Sequence, residues 1–256
     1  MTPPSLFIVN HLPIDSPHQQ FISPPATEDE FRRLPFVSHA FISLGLRFLN
    51  CPQNLMTIDR NTPLPLEFNL GLSKICRIKA TMNTTHSCAE NATTVQVDHS
   101  KSTATVSAYP PSVGEWKLEF FGQSDLSVNA MPGLCTVYLH VESLPYTEPP
   151  CFCTQYAVDP QYNFSIRGPL LQNLPLHQSQ DFGVFLWTEK QHKLPKVVLI
   201  SPRNNFHDLH PQIVSRDQVE YVATGVRLNE PGSWRVGYQP LGAGTSYQVI
   251  ASYTCR

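Results

Sequence analysis

The tetrapeptide pattern glycine, any residue, tryptophan, cation occurs twice, as Gly114-Glu115-Trp116-Lys117 and Gly232-Ser233-Trp234-Arg235. The two tryptophans lie 118 residues apart in like surroundings, which predicts a duplicated unit. Each copy follows a proline-bearing turn, Pro110-Pro111-Ser112-Val113 and Asn229-Glu230-Pro231. Each then leads into a short alternating run, Trp116, Leu118, Phe120 in one and Trp234, Val236, Tyr238 in the other. A second strand-like run follows, Cys135 to Val141 and Tyr247 to Tyr253, so the unit reads as a closing β-hairpin used twice. A solenoid needs at least about three stacked repeats, so tandem sandwich domains fit better.

Composition agrees. A chain of 256 residues, 41% of them apolar, holds one or two cores at roughly 100–200 residues per domain. Its 24 prolines are about twice the usual share and argue against a long helical bundle. A formal charge of −2 leaves no basic footprint for nucleic acid and no polybasic membrane patch. No apolar run approaches the roughly 18–20 residues of a membrane span. Met1-Thr2-Pro3-Pro4 has neither a basic region nor an apolar one, so no signal peptide is expected. Seven cysteines (Cys51, Cys76, Cys88, Cys135, Cys151, Cys153, Cys255) are an odd number without zinc-ribbon spacing, and a reduced cytoplasmic chain is the simplest reading. Three sequons, at Asn83, Asn91 and Asn163, would matter only on the secretory path.

Residues 1–26 are proline-punctuated, with isolated apolar clusters at Leu6-Phe7-Ile8-Val9 and Phe21-Ile22, and read as a tail packed on something else. Thr27-Glu28-Asp29-Glu30 spells a capping box that opens one short helix ending before Pro35. From Phe36 the period is that of strands. Leu44, Leu46 and Phe48 share a face, as do Leu64, Leu66, Phe68 and Leu70, and Ala104, Val106 and Ala108. With 74–82, 94–97, 115–121 and 134–142 this makes the strand complement of one sandwich. Pro63 and Pro65, opposite Leu64 and Leu66, predict an edge strand there. Pro145 to Cys153 reads as a linker. Beyond it come strands at 162–166, 182–186, 196–200 and 219–228, then the second hairpin.

Two stretches resemble a known family. Phe7-Ile8-Val9-Asn10-His11-Leu12-Pro13-Ile14-Asp15 is similar to the phrase that closes the transglutaminase-like domain of the kyphoscoliosis peptidase and hillarin family. Glu30-Phe31-Arg32-Arg33-Leu34-Pro35-Phe36-Val37 and Ala40-Phe41-Ile42-Ser43-Leu44-Gly45-Leu46 resemble the opening of the immunoglobulin-like domain that follows it there. Tyr109-Pro110-Pro111, Gly114-x-Trp116-Lys117-Leu118 and Phe121-Gly122 are similar to the last hairpin of that domain. Where the family carries a tryptophan after the aspartate, this chain has His18-Gln19-Gln20-Phe21. The family's Cys-His-Asp domain lies upstream of the resembling segment, so the resemblance carries catalysis to no residue here.

Candidate chemistry is sparse. Cys135 alternates with Val137, Leu139 and Val141 on an apolar face while His140 points the other way, which makes a buried structural thiol the better reading. His86-Ser87-Cys88 lacks a third orienting group. His207-Asp208-Leu209-His210 has the spacing of a metal motif on a helix, but Pro202 and Pro211 argue against one, and solvated loop histidines are expected. Cys151-Phe152-Cys153 lacks the two-residue gap of a redox pair. Trp116, Leu118, Phe120, Trp234 and Val236 are assigned to structural cores rather than to a ligand platform.

The expectation is therefore an all-β chain of two tandem immunoglobulin-like β-sandwiches after a short N-terminal extended and helical segment. Residues 1–26 are a remnant of an upstream transglutaminase-like domain, 27–144 the first sandwich and 154–256 the second. No catalytic, cofactor-binding or metal-binding residue is assigned. The resemblance implies a cytoplasmic, cytoskeleton-associated scaffold with a protein partner and no role for nucleic acid or membrane. One alternative makes the chain the C-terminal part of an active transglutaminase-like cysteine peptidase or acyl transferase; another makes it a secreted adhesion glycoprotein.

Overall fold

The computed structural model describes residues 27–50, 52–73, 77–85, 87–124, 131–156, 162–187, 194–240 and 244–256. The expected tail, residues 1–26, lies outside them. The chain divides into two compact units: the described part of Met1–Thr93 with Ser102–Pro149, and Thr94–Lys101 with Pro150–Arg256.

The capping box forms as spelled. Helix α1 (Glu28–Arg33) starts at Thr27, whose hydroxyl accepts from the Glu30 N–H while the Glu30 carboxylate accepts from the Thr27 N–H at 2.8 Å. That backbone bond, reinforced by the Thr27 hydroxyl, holds the Glu30 carboxyl below its ordinary value. Where alternation suggested a strand through Leu44, Leu46 and Phe48, a second short helix intervenes. Helix α2 (His39–Ser43) is N-capped by Ser38, whose hydroxyl accepts from Phe41 and donates to the Gly133 carbonyl at 2.7 Å. Leu44 is its C-cap, and only Arg47–Phe48 form a strand, β1. Leu44 and Leu46 are still buried, so the alternation tracked burial while the backbone path was that of a helix end and a turn.

In the first unit β2 (Leu55–Ile58), β9 (Gly133–Val141), β8 (Gly114–Gln123), β4 (Arg77–Asn83) and β5 (Cys88–Ala89) form one sheet in that order. β2 runs parallel to β9 and the other pairings are antiparallel. The facing sheet has the order β1, β3 (Leu66–Gly71), β7 (Thr103–Ala108), and the strand order continues into β6 (Thr93–Asp98), all of which but Thr93 is grouped with the second unit. β3 is not the edge that Pro63 and Pro65 suggested. It begins after both prolines and lies between β1 and β7, and Asn50 extends its cover by donating its amide to the Glu67 carbonyl. Between the sheets Phe120 meets Phe68 edge-on at 5.6 Å and Phe48 at 6.2 Å.

The second unit repeats the plan. β12 (Asn173–Leu174) runs parallel to the last strand, β18 (Gln248–Cys255), as β2 does to β9. β18 pairs with the tryptophan strand β17 (Gly232–Gln239), which pairs with β14 (Lys196–Ile200). The opposite sheet joins β11 (Asn163–Gly168), β13 (Ser179–Trp187) and β16 (Gln218–Arg227). One strand, β15 (Phe206–Ser215), takes the places that β5 and β6 hold separately. Its Phe206–Leu209 half pairs with β14 and its His210–Ser215 half with β16. A two-residue strand, β10 (Thr154–Gln155), adds to β18. The core centres on aromatic contacts, Tyr162 against Tyr238 at 5.0 Å and Phe182 against Tyr253 at 5.5 Å.

Both units are thus immunoglobulin-like sandwiches, with a four-strand order on one side and a parallel edge strand beside the last strand on the other. The second is built from two pieces of chain. Val97 N–H donates to Ser165 Oγ at 2.9 Å, the Gln96 amide to the Arg167 carbonyl at 3.0 Å, and Ser100 N–H to Gln218 Oε1 at 2.7 Å. The proline-dense stretch behaves as a connection only up to Pro149. Phe152 and Cys153 are buried, and Cys153 N–H bonds the Leu170 carbonyl.

Candidate interaction surface

The repeated motif is a structural device, the same in both units. Gly114 and Gly232 adopt φ of 118° and 119°, a region that a side chain strains, and so turn the chain into β8 and β17. Two residues on, the indole folds inward and its N–H closes back on the turn. Trp116 Nε1 donates to the Ser112 carbonyl at 3.0 Å and Trp234 Nε1 to the Glu230 carbonyl at 2.9 Å. Both bonds span four residues, so each tryptophan pins the turn that precedes its own strand. Trp116 is 9% exposed and Trp234 2%, while Leu118, Phe120 and Val236 are at 1% or less. None of the five is offered to a ligand.

Cys135 is buried against the core, while His140 lies on the outer face between two carboxylates, bonded through Nδ1 to Glu115 and 4.0 Å through Nε2 from Glu142. The Glu115 hydrogen bond and charge raise the His140 pKa above its ordinary value. Burial pushes the Cys153 thiol up to about 11, so the reactive thiolate is suppressed. His86 lies outside the described residues, and Cys88 is exposed on β5. Cys88, Cys153 and Cys255 are free thiols.

His207-Asp208-Leu209-His210 is not the loop that the flanking prolines suggested. It is the start of β15, because an edge strand tolerates Pro211. His207 stacks on Trp234 at 6.1 Å, and Asp208 pairs with Lys196 at 2.9 Å. Among the described residues no three His, Cys, Asp or Glu side chains converge on a metal position. Of the sequon asparagines, Asn83 has its amide engaged by Thr81 and by Glu119 at 2.7 Å.

What the first unit does present is a mixed apolar and cationic row across its five-stranded sheet. Register aligns Leu55, Tyr138, Lys117, Asn83 and Cys88 on neighbouring strands, so their side chains share the outer face. Leu55 is 55% exposed and Tyr138 41%, with the Lys117 ammonium 5.7 Å from the tyrosine ring centroid. Asn54 bonds the Arg33 carbonyl through its N–H and accepts from the Tyr138 N–H. That chain of bonds sets the end of α1 beside the same edge, where Leu34 and Phe36 are also exposed. The sequence held a signal for this row. If Val137, Leu139 and Val141 point inward, Tyr138 points out, and that becomes informative once register sets Leu55 and Lys117 beside it.

Residues 28–152 match the family model described as KY-like, immunoglobulin-like domain. No curated protein sequence matches the chain. Among solved structures the chain is similar to neural ectodermal development factor IMP-L2 at 9% identity and a TM-score of 0.27, over 84% of this chain and 96% of that one. It is also similar to a chimeric titin Z1Z2 carrying an exogenous KLER peptide from decorin, at 12% identity and a TM-score of 0.25, over 82% of this chain and 96% of that one. The family match extends over the first sandwich from α1 to the start of the second unit, and residues 28–152 of this chain are a KY-like immunoglobulin-like domain.

Proposed function

We propose that the chain is a non-catalytic interaction module of a kyphoscoliosis peptidase-like protein, serving as a cytoplasmic, cytoskeleton-associated scaffold. In this reading residues 27–144 and 154–256 are the two immunoglobulin-like domains, and no cofactor is needed. The observation that carries it is the Leu55, Tyr138, Lys117 row. Two exposed apolar side chains and a cation stand side by side on neighbouring strands, the composition of a protein-binding surface. Of the described thiols, Cys135 faces the side of β9 opposite to His140, and Cys153 is buried and protonated.

Co-sedimentation of the purified chain with actin filaments and with microtubules tests the proposal. The chain should pellet with one of them, and a Leu55→Lys, Tyr138→Ala double variant should stay in the supernatant while retaining its circular dichroism. Failure of the parent chain to pellet with either overturns the cytoskeletal role. Undiminished binding by the variant overturns the surface.

A second reading draws on the family match alone: the chain is the C-terminal part of a longer transglutaminase-like cysteine peptidase or acyl transferase. A transcript running upstream of Met1 into a Cys-His-Asp domain decides in its favour.

A further inference from the structure

Alternation on β13 and β16 sends Phe182, Val184, Leu186, Val219 and Tyr221 into the core of the second unit, so Trp187 and Gln218 belong to the other side of the sheet. The two are cross-strand partners and share that outer face. β11 adds Ser165 to it, opposite Phe185. An outer face is ordinarily wet, yet Ser165, Trp187 and Gln218 are all buried, at 9%, 5% and 1% exposed. Their cover is the separate piece of chain, Thr94–Lys101, that is grouped with this unit.

Polar contacts hold the cover in place. Besides the bonds of Gln96, Val97 and Ser100 to Arg167, Ser165 and Gln218, the Gln155 amide donates to Thr94 Oγ1 at 2.8 Å. Within the piece only Thr94 and Val97 are buried, so little apolar area ties it down, the mark of a segment that opens locally. His99 lies in the same contact, with its ring 5.7 Å from that of Trp187. Two N–H groups of the covered residues, Trp187 Nε1 and Gln218 Nε2, are buried without an acceptor. A neutral imidazole suits such surroundings better than a cation, which would lose water and meet donors of its own polarity. Attraction of an imidazolium to the indole works the other way. So does Asp98, which is itself answered by Lys101 at 3.2 Å and by the Ser100 hydroxyl. Trp187 and Gln218, which β13 and β16 set against this piece, carry no charge. Burial is the largest effect and holds the His99 pKa below its ordinary value.

We infer that residues 94–101 are an acid-released latch: protonation of His99 lifts this piece from β11, β13 and β16 and uncovers Trp187, while the strands beneath stay folded. Once released, the imidazole is in water and takes up a proton at its ordinary value of 6.5. Release is therefore favoured as pH falls through about 6.5 and is not promoted above it.

Amide hydrogen exchange of the full chain, resolved by NMR at about pH 7.5 and 5.5 and corrected for the intrinsic rate, reads the latch bonds themselves. Protection of the Val97 and Ser100 amides, both bonded across the contact, should fall with acid while β17 and β18 keep theirs. His99→Gln, neutral at either pH, should remove that fall. Acrylamide should also quench the Trp187 emission more at the lower pH, read as the difference between the parent chain and Trp187→Phe. Protection of Val97 and Ser100 that does not change with pH overturns the inference, and so does a fall that persists in His99→Gln. A fall shared equally by β13, β16, β17 and β18 overturns it too, because acid then unfolds the whole unit and releases no latch.

Discussion

Truncating Trp116 to alanine tests the central packing argument. The indole is 9% exposed, so the substitution removes nearly a whole large side chain from the core. A buried aromatic covers roughly 150–250 Å². Taking about 150 Å² as the part alanine does not replace, at about 25 cal/mol per Å², gives ~4 kcal/mol. Residual burial in the unfolded chain reduces that by roughly 10–40%. Loss of the bond to the Ser112 carbonyl adds about 1 kcal/mol. The expected destabilisation is thus about 3–5 kcal/mol, in line with truncation of buried aromatics generally. Urea unfolding followed by hydrogen-exchange mass spectrometry separates the units, with peptides from β8 and β9 reporting the first and those from β17 and β18 the second. Protection should fall in the first unit only. Trp116→Phe should keep most of the packing and lose the hydrogen bond, giving a smaller loss of about 1–2 kcal/mol. A loss under about 1 kcal/mol for Trp116→Ala would mean that the ring is not the core residue described here.

Acidification should act on the two units with opposite sign through one histidine each. Burial, only partly offset by Asp98, lowers the His99 pKa from 6.5, so the unfolded chain binds the proton more readily. The second unit therefore loses stability as pH falls through about 6.5 and below, and His99→Gln should reduce that loss in urea midpoints measured at about pH 7.5 and 5.5. His140 is raised from 6.5 by Glu115, so its contribution is full below about that pH, fades as pH rises through the raised value, and is screened by salt. Native thiol labelling mapped by peptide mass should modify Cys88 at least about a hundredfold faster than Cys153, because Cys153 is buried and its pKa of about 11 suppresses the thiolate. Limited proteolysis should cut near the exposed Thr147 and Glu148 before it cuts inside β7, β8 or β9, as N-terminal sequencing of the fragments would show.

Features set by neighbours in sequence were legible before any coordinates. The α1 capping box needs only Thr27 and Glu30, three residues apart, and the turn before each tryptophan strand needs only a glycine and an inward ring four residues past the carbonyl it bonds. Features set by distant residues were not. Nothing local distinguishes 94–101 from any other hairpin, because its grouping rests on Ser165 and Gln218, 68 and 118 residues away from the amides they bond. The proline signal misled in two directions. Pro63 and Pro65 implied an edge where the strand had not yet begun, and Pro211 implied a loop where there was an edge.

The Pro211 misreading has a physical cause, and it also explains why the exposed side chains of β15 were not legible in the sequence. Proline forbids a hydrogen-bond donor; it does not forbid extended backbone. On an outermost strand half of the donors face solvent, so the missing one costs nothing, and β15 keeps its ladder to Tyr221 with Pro211 in place. A rule that treats proline as a strand breaker will therefore fail selectively at edges, which are the strands left with backbone to offer another chain. In this molecule the failure covered Phe206, Ile213 and Val214, three of the exposed large hydrophobic side chains. The outer face of the first unit escaped for a different reason. Its Tyr138 was placed outward by the same alternation that buried Val137 and Leu139, but an outward tyrosine is ordinary until register shows that Leu55 and Lys117 stand beside it.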